Sequence, residues 1–178
     1  FGVGFPEMSL GIAAQAEVAQ SFGLPTWGYA GCTDAKSVDA QAGLESAFSI
    51  LSQGLAGLNL IHDVGYLDMA MVSSPAQLML GNEAIARGAL EAGVAFASTY
   101  PGTPSSEISL NLFQVARETE LYFEYSTNEK VALEVAIGAA FGNAKAVATM
   151  KHVGLNVAAD PLFTATHTGV TGALVLVV

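Results

Sequence analysis

Short apolar segments with strand character alternate along the chain with longer segments of helical periodicity, and this alternation constrains the fold more than any other feature. Strands that alternate with helices are typical of α/β domains in which the strands run parallel. No internal repeat is visible beyond the alternation. The expected strands cover residues 26–30, 58–61, 94–99, 121–125, 146–150 and 172–178.

Composition and charge exclude several classes of protein and of binding partner. Hydrophobic residues make up 52% of the 178 residues and charged residues 12%, which predicts a buried core. The net charge of −10 and the lack of a basic cluster argue against nucleic acid. No apolar run reaches the ~20 residues of a membrane helix, and no signal peptide is visible, so we expect a cytoplasmic protein. A single cysteine, Cys32, excludes an internal disulfide and a cysteine-held iron–sulfur cluster within this chain.

Capping and turn residues predict where several helices begin. Asp39 is expected to cap a helix with an apolar face over residues 44–55, and Pro104 is expected to open another. Asp160 followed by Pro161 predicts a third start, with the aspartate as cap and the proline in the first turn. Further helices are expected over residues 10–18, 83–91 and 128–141.

The ends and the charge distribution suggest a fragment with two parts. The chain begins at Phe1 without an initiator methionine and stops within the apolar run 172–178. Residues 1–78 carry one basic residue, Lys36, against seven acids, whereas residues 79–178 carry five basic residues against nine acids. We therefore expect two domains, 1–78 and 79–178.

The densest functional signal is the run from Glu124 to Glu134, where a strand leads through a polar turn into an alanine-rich helix. Glu129 falls in the first turn of that helix. Thiamine chemistry needs a carboxylate on N1′ of the aminopyrimidine, because it favours the imino tautomer that removes the thiazolium C2 proton. The alternative is that Glu129 only complements the helix dipole.

Two further polar segments also follow strands: residues 100–107, with sequence YPGTPSSE, and residues 150–156, with sequence MKHVGLN. Parallel strands share a carboxyl edge, so the three segments are expected to gather where α/β ligand sites form. Together with LGNEAIARGA at residues 80–89, they resemble the alpha subunits of indolepyruvate ferredoxin oxidoreductases. The resemblance covers essentially all of residues 79–178.

That resemblance implies a truncated, Rossmann-like domain that binds the pyrimidine of thiamine diphosphate. Glu129 matches the glutamate on the aminopyrimidine, and Thr103 matches a residue expected to contact the oxoacid carboxylate. His152, Gly154 and Asn156 belong to a loop that lines the cofactor. The implied reaction is oxidative decarboxylation of an aryl 2-oxoacid with transfer to coenzyme A, with a beta subunit and ferredoxin as partners. The diphosphate with its magnesium, and the iron–sulfur clusters, are implied to lie in parts absent here.

Purely structural roles remain open for some of these residues. Thr103 suits the N-cap of a helix opened by Pro104 equally well. His152 could be a structural hydrogen-bonding residue, and the histidines show no metal-ligand spacing.

In residues 1–78, polar clusters within 28–43 and 59–68 each follow a short strand, the place where (β/α) barrels hold their chemistry. This stretch resembles a minor part of the barrel of the trimethylamine:corrinoid methyltransferase family. The resemblance implies methyl transfer, as in methanogenesis, from a methylated amine to the cobalt of a partner corrinoid protein. No pyrrolysine appears, so the amine stays open. The polar candidates are Asp34, Lys36, His62 and Asp63, each equally compatible with a structural role.

The two resemblances meet without a linker. The methyltransferase pattern runs to Leu78 and the oxidoreductase pattern starts near Leu80, with no Pro/Gly/Ser-rich segment between them. An incomplete barrel leaves unpaired strand edges and exposed apolar surface. Three interpretations therefore stay open: an oxidoreductase fragment, a methyltransferase fragment, or an inactive composite of two joined coding sequences.

Overall fold

The computed structural model describes residues 2–178 and divides into two compact units, Phe1–Ala84 and Ile85–Val178. The elements of the first unit are α1 (Pro6–Ser21), β1 (Trp27–Tyr29), α2 (Ala40–Leu55), β2 (Leu60–His62), β3 (Tyr66–Leu67) and β4 (Val72–Ser73). The strands β1 and β2 pair in parallel, with Trp27 opposite Leu60. The strands β3 and β4 form a separate antiparallel pair.

The helix α2 begins where the sequence predicts, because Asp39 caps it. The Asp39 side chain accepts a hydrogen bond from the backbone N–H of Ala42 at 3.1 Å. The helix is fixed to the end of β1 by polar side chains: Ser49 accepts from the N–H of Gly31 at 2.9 Å, and Ser46 donates to its carbonyl at 3.1 Å. Buried polar groups are tolerated where they are paired in this way.

The helix α3 (Pro75–Glu91) begins in the first unit and ends in the second. The sequence predicts its start near residue 83, but the helix begins at Pro75, and a proline in a first helical turn is the signal that announces such a start. The predicted domain boundary at 78/79 falls inside this helix and stays a prediction.

The second unit contains a parallel sheet, which confirms the predicted α/β fold class. Its elements are β5 (Phe96–Tyr100), α4 (Ser106–Ala116), β6 (Tyr122–Tyr125), α5 (Glu129–Phe141), β7 (Ala146–Met150), a 3-10 turn (His152–Asn156), α6 (Ala159–Thr168) and β8 (Leu174–Val177). The strand order is β6-β5-β7-β8, and every neighbouring pair is parallel.

Two apolar layers cover this sheet. One packs α5 and α6 against β7 and β8 and contains Leu133 and Met150. The other holds the buried α4 residues Ile108 and Leu112 together with Ala97 of β5. The strand order changes direction at β5: its next strand, β6, lies on one side and β7 on the other. Ligand crevices of open α/β sheets form at such a switch point, outside the carboxyl ends of the strands.

Two helix starts in this unit differ from the sequence expectation. The helix α4 begins at Ser106 with Ser105 as N-cap, so the suggestion that Thr103 caps a helix opened by Pro104 is wrong. The helix α6 begins at Ala159, which puts Asp160 in the first turn rather than at the cap. In both cases the helix boundary moved by one or two residues, the usual uncertainty of cap assignment.

Among residues 2–178, none of the helices combines the length and the hydropathy that a bilayer-spanning segment requires.

Candidate functional site

Glu129 is the first residue of α5 and is buried, with 3% of its surface exposed. The preceding residue, Asn128, caps the helix by accepting a hydrogen bond from the N–H of Val131 at 2.9 Å. The cap fixes the direction in which the chain enters the helix. A glutamate that only complements the helix dipole needs no burial, so its enclosure favours a specific partner.

The cation next to this carboxylate is Lys151, directly after β7. Its Nζ lies 3.0 Å from Oε1 of Glu129, and the lysine side chain is 38% exposed. Oε1 nevertheless has no hydrogen bond of acceptable geometry within the described chain. The carboxylate is therefore neutralised by charge while one acceptor oxygen keeps its hydrogen-bonding capacity unused.

The absence of a side chain at Gly154 leaves the space that the Glu129 side chain occupies. A Cβ atom built on this buried glycine would lie 2.6 Å from Cγ and 2.8 Å from Oε1 of Glu129. Side chains do not approach each other so closely, so a residue larger than glycine would displace the carboxylate. The 3-10 turn over residues 152–156 is thus shaped around the glutamate.

The loop after β5 reaches the same place. The stem of Lys151 lies over Gly102, where an added Cβ would come within 2.7 Å of the lysine Cβ. The Lys151 ammonium also lies 5.6 Å from the ring centroid of Tyr100. The segments after β5 and β7 therefore meet at the switch point of the sheet, with Glu129 beside them.

Hydroxyl groups tie together the elements below this crevice. Thr149 donates to the Thr99 hydroxyl at 2.7 Å, and Thr99 donates to the Thr149 carbonyl at 3.1 Å. Ser105 donates to the carbonyl of Met150 at 2.7 Å, and Ser98 donates to that of Ala132 at 2.6 Å. These bonds join β5, β7, α5 and the start of α4, so the loops above them rest on a cross-linked base.

Other residues predicted for this site lie on its surface. Thr103 is exposed in the loop between β5 and α4, next to Gly102, and His152 and Asn156 are exposed at the two ends of the 3-10 turn. Sequence reasoning missed Lys151 and Tyr100 as site residues. The available signal was the position of the lysine directly after a strand, within a loop already singled out.

The residues present fit a planar nitrogen heterocycle. A buried carboxylate with an unused acceptor oxygen beside a glycine can receive an N–H group from a ring that lies at the crevice. Within residues 2–178, the structure contains no group of three or more His, Cys, Asp or Glu side chains placed to hold a metal ion.

In the first unit, the two predicted polar loops lie side by side at the carboxyl ends of β1 and β2. The N–H of Thr33 donates to the carbonyl of Tyr66 at 3.0 Å, and the N–H of Gly65 donates to that of Gly31 at 3.3 Å. His62 Nδ1 lies 2.9 Å from Asp63 Oδ1, and both side chains are partly exposed.

Asp34 and Lys36 differ in their surroundings. Oδ1 of Asp34 accepts from the N–H of Gly4 at 3.0 Å, and Glu45 accepts from the N–H of Asp34 at 2.8 Å. Oδ2 of Asp34 is buried and has no hydrogen-bond partner in the described chain. Lys36 is exposed in the loop that follows. The structure thus brings the two loops together, and of the four candidates it pairs His62 with Asp63.

Cys32 lies buried in the first of these loops. Burial raises the pKa of its thiol from 9.0 to about 11, and the nearby carboxylates of Asp63, Asp34 and Glu45 add to the increase. The thiol is thus neutral near pH 7 and is a poor nucleophile or metal ligand.

Comparison with known proteins gives two distinct sets of relatives. Indolepyruvate oxidoreductase subunit IorA of Archaeoglobus fulgidus is 57% identical over 103 residues, which cover 56% of this chain and 16% of that protein. IorA of Thermococcus kodakarensis is 50% identical over 113 residues, or 62% of this chain and 18% of that protein. Trimethylamine methyltransferase MttB of Methanosarcina thermophila is 42% identical over 83 residues, or 47% of this chain and 17% of that protein.

The chain therefore spans between 16% and 18% of the length of these relatives. Among solved structures, a 2-oxoglutarate:ferredoxin oxidoreductase from Magnetococcus marinus with 2-oxoglutarate, coenzyme A and succinyl-CoA bound matches with a TM-score of 0.42 and 12% identity. That match covers 84% of this chain and 27% of the other.

The family model for trimethylamine methyltransferase (MTTB) matches residues 1–100. Similarity to two different enzymes within one chain agrees with the composite predicted from the sequence. By the family match, which covers more than half of its residues, the chain belongs to the trimethylamine methyltransferase (MTTB) family, joined to a segment similar to IorA.

Proposed function

We propose that the second unit is the aminopyrimidine-binding half of a thiamine-diphosphate site from an indolepyruvate-type 2-oxoacid:ferredoxin oxidoreductase. The observation that carries this proposal is the buried carboxylate of Glu129, with its unused oxygen, at the switch point of a parallel sheet. The similarity to IorA supports the same assignment.

Each residue has a distinct part in the proposed site. Glu129 would hold the aminopyrimidine through a hydrogen bond at N1′ and would keep a proton, taken up from solvent, at that nitrogen. Gly154 leaves the space that this carboxylate needs. When bound, thiamine diphosphate supplies the nucleophilic carbon that attacks the keto group of a 2-oxoacid. Thr103 contacts the oxoacid carboxylate, and His152 and Asn156 line the cofactor from the turn after β7.

The remaining parts of the site belong to the rest of the enzyme. A separate region binds the diphosphate and its magnesium, iron–sulfur clusters carry the electrons, and a beta subunit and ferredoxin are the partners. The overall reaction is the oxidative decarboxylation of an aryl 2-oxoacid with transfer of the acyl group to coenzyme A. Its setting is the cytoplasm.

The test of this proposal is binding of thiamine, which carries the aminopyrimidine without the diphosphate, to the full chain. Amide chemical shifts in a titration to millimolar thiamine should move at the residues around Glu129. In Glu129→Gln the affinity should fall by about tenfold or more, because a hydrogen bond to a buried charge is lost.

The matched control is Glu134→Gln, which changes an exposed glutamate on the same helix. Its thiamine affinity should equal that of the unchanged chain. Equal affinity in Glu129→Gln, or shifts that cluster away from the crevice, would remove the basis of the assignment.

A second candidate function rests on the family match to residues 1–100. Here the two polar loops at the ends of β1 and β2 are a part of a methyltransferase barrel mouth that acts on a methylated amine and passes the methyl group to the cobalt of a corrinoid protein. Asp34, Lys36, His62 and Asp63 are its polar groups. Methyl transfer to added corrinoid protein, measured by the change in the cobalt absorption spectrum, tests it. A chain that neither transfers a methyl group in this assay nor binds thiamine is an inactive composite.

A further inference from the structure

Lys151 and Glu129 form an ion pair in which only the lysine is accessible to solvent. The Glu129 side chain is 5% exposed, whereas the Lys151 side chain is 38% exposed. If the ion pair separates, water can solvate the ammonium group of Lys151 but not the buried carboxylate of Glu129. An ion pair with one mobile, hydrated member can exchange that member for another donor at small cost.

The geometry of the contact leaves it incomplete. Nζ lies 3.0 Å from Oε1, yet Oε1 has no hydrogen bond of acceptable geometry in residues 2–178. The lysine supplies charge without the directed hydrogen bond that a buried carboxylate oxygen requires. A ring nitrogen that takes up a proton from solvent supplies both the positive charge and the N–H donor, and it would replace the lysine favourably.

The Lys151 side chain also contacts residues other than Glu129. It lies over Gly102, and its ammonium lies 5.6 Å from the Tyr100 ring centroid, on the side of the loop after β5. Because an aromatic face attracts an ammonium group, the Tyr100 ring continues to attract the Lys151 ammonium when its contact with Glu129 is lost. The lysine can therefore leave Glu129 while its methylene groups keep their contact with Gly102.

From these contacts we propose that Lys151 is an exchangeable counter-ion of Glu129. It neutralises the buried carboxylate when the crevice is empty, and the aminopyrimidine displaces it on binding. Lys151 is thus a positioning residue that sets cofactor affinity. This inference rests on the proposed thiamine site, since it concerns how that site is held before the ligand arrives.

The test is a double-mutant cycle on the full chain with Lys151→Met and Glu129→Gln, with and without thiamine. Methionine keeps the unbranched stem over Gly102 and removes the charge. Without thiamine, Lys151→Met should lower Tm by about 5 °C, because it leaves the carboxylate buried and unpaired. The double variant should recover most of this loss, since neither charge then remains.

With thiamine, the same variants should show whether Lys151 competes with thiamine for Glu129 or only stabilises the glutamate. In Lys151→Met the thiamine affinity should rise about threefold or more, because no competing cation has to leave. The coupling between the two positions should shrink when thiamine saturates the chain. Lys145→Met is the control: it removes a lysine from the opposite end of the β7 region, where Nζ donates to the Ala92 carbonyl at 2.7 Å, and should leave affinity unchanged.

The outcomes distinguish this inference from the proposed function. If Glu129→Gln weakens thiamine binding but Lys151→Met lowers the affinity or leaves it unchanged, the thiamine site stands and the exchange is refuted. If the coupling is equal with and without thiamine, the lysine stays in place and the exchange is again refuted. If thiamine does not bind the unchanged chain, the proposed function and this inference fall together.

Discussion

Gly154 shows how one missing side chain controls the crevice. Its backbone does not require the left-handed region, so the demand for glycine comes from space: an added Cβ would lie 2.6 Å from Glu129 Cγ. The Glu129 carboxylate is buried beside this glycine, so an added methyl group would compete with it for the same space. Position 154 is thus tied to position 129 by packing rather than by a hydrogen bond.

We predict that Gly154→Ala destabilises the chain by about 1–3 kcal/mol, because overpacking forces the glutamate to move. Thiamine affinity should fall with it. Chemical denaturation and the thiamine titration measure the two effects. The control is Gly138→Ala in α5, where an added Cβ meets nothing within 4 Å. Alanine there should stabilise the helix by about 0.5–1 kcal/mol; an equal gain at position 154 would show that the close approach does not exist.

At the scale of elements, the helix α2 depends on a charged cap. The backbone amide of Ala42, and then the hydroxyl of Ser37, donate to Asp39 and hold the pKa of its carboxyl below 3.8. Since the folded value lies below the unfolded one, the carboxylate contributes stability above the unfolded value. This contribution is lost as the pH falls through the folded value.

We predict that Asp39→Asn removes this acid dependence while keeping the cap, because asparagine caps helices about as well as aspartate. The unfolding midpoint, followed from about pH 6 to about pH 2, should fall less steeply in Asp39→Asn than in the unchanged chain. Asp39→Ala should be less stable throughout the neutral range. Parallel curves for the unchanged chain and Asp39→Asn would contradict the role of the charge.

Some features of the helices and strands could be predicted from the sequence and others could not. The helix cap at Asp39 and the strands of the parallel sheet were predictable, because they depend on neighbouring residues and on apolar periodicity. The hairpin of β3 and β4 was not, because each strand has two residues, too few to show an alternation. The burial of the first helical turn of α5 also depends on neighbours distant in sequence.

In the candidate site, too, local features were predictable and contacts between residues distant in sequence were not. Its three segments were predictable from polar residues that follow strands, and Glu129 from its place at a helix start. The contact of Lys151 with Glu129 was not, because it depends on the register that brings Tyr100 opposite Met150 and on the turn around Gly154. The roles of Thr103, His152 and Asn156 remain predictions.

At the scale of the whole molecule, the first unit exposes several large apolar side chains to solvent. The described part of this unit has one pair of parallel strands, β1 and β2, and large apolar side chains around it meet solvent. Among the most exposed are Phe22, Trp27, Leu44, Leu51 and Leu55. We expect this unit to open more readily than the second, whose apolar layers lie on both faces of a four-stranded sheet.

Cys32, which is buried in the first unit, can report local opening of that unit through its reaction with alkylating reagents. Because its thiol pKa is raised to about 11, we predict that alkylation of the folded chain near pH 8 is slower than that of the unfolded chain by about a hundredfold from ionisation alone. Above about pH 9 the unfolded thiol ionises first, so stability falls as the pH rises towards about 11. Iodoacetamide labelling followed by mass spectrometry measures the rate; folded and unfolded chains that react alike would show that the thiol is not enclosed.

The hydroxyl groups of Thr99, Thr149, Ser98 and Ser105 have a consequence for the crevice above them. They join four elements without placing a formal charge in the interior, and they keep the same protonation state over the whole range in which proteins fold. The electrostatic potential at the crevice therefore depends on Glu129, Lys151 and the residues of the rim, and not on titration of the hydroxyl groups below them. A scaffold of this kind can exchange the residues of its rim, and hence the ligand that it selects, without rebuilding the sheet that carries them.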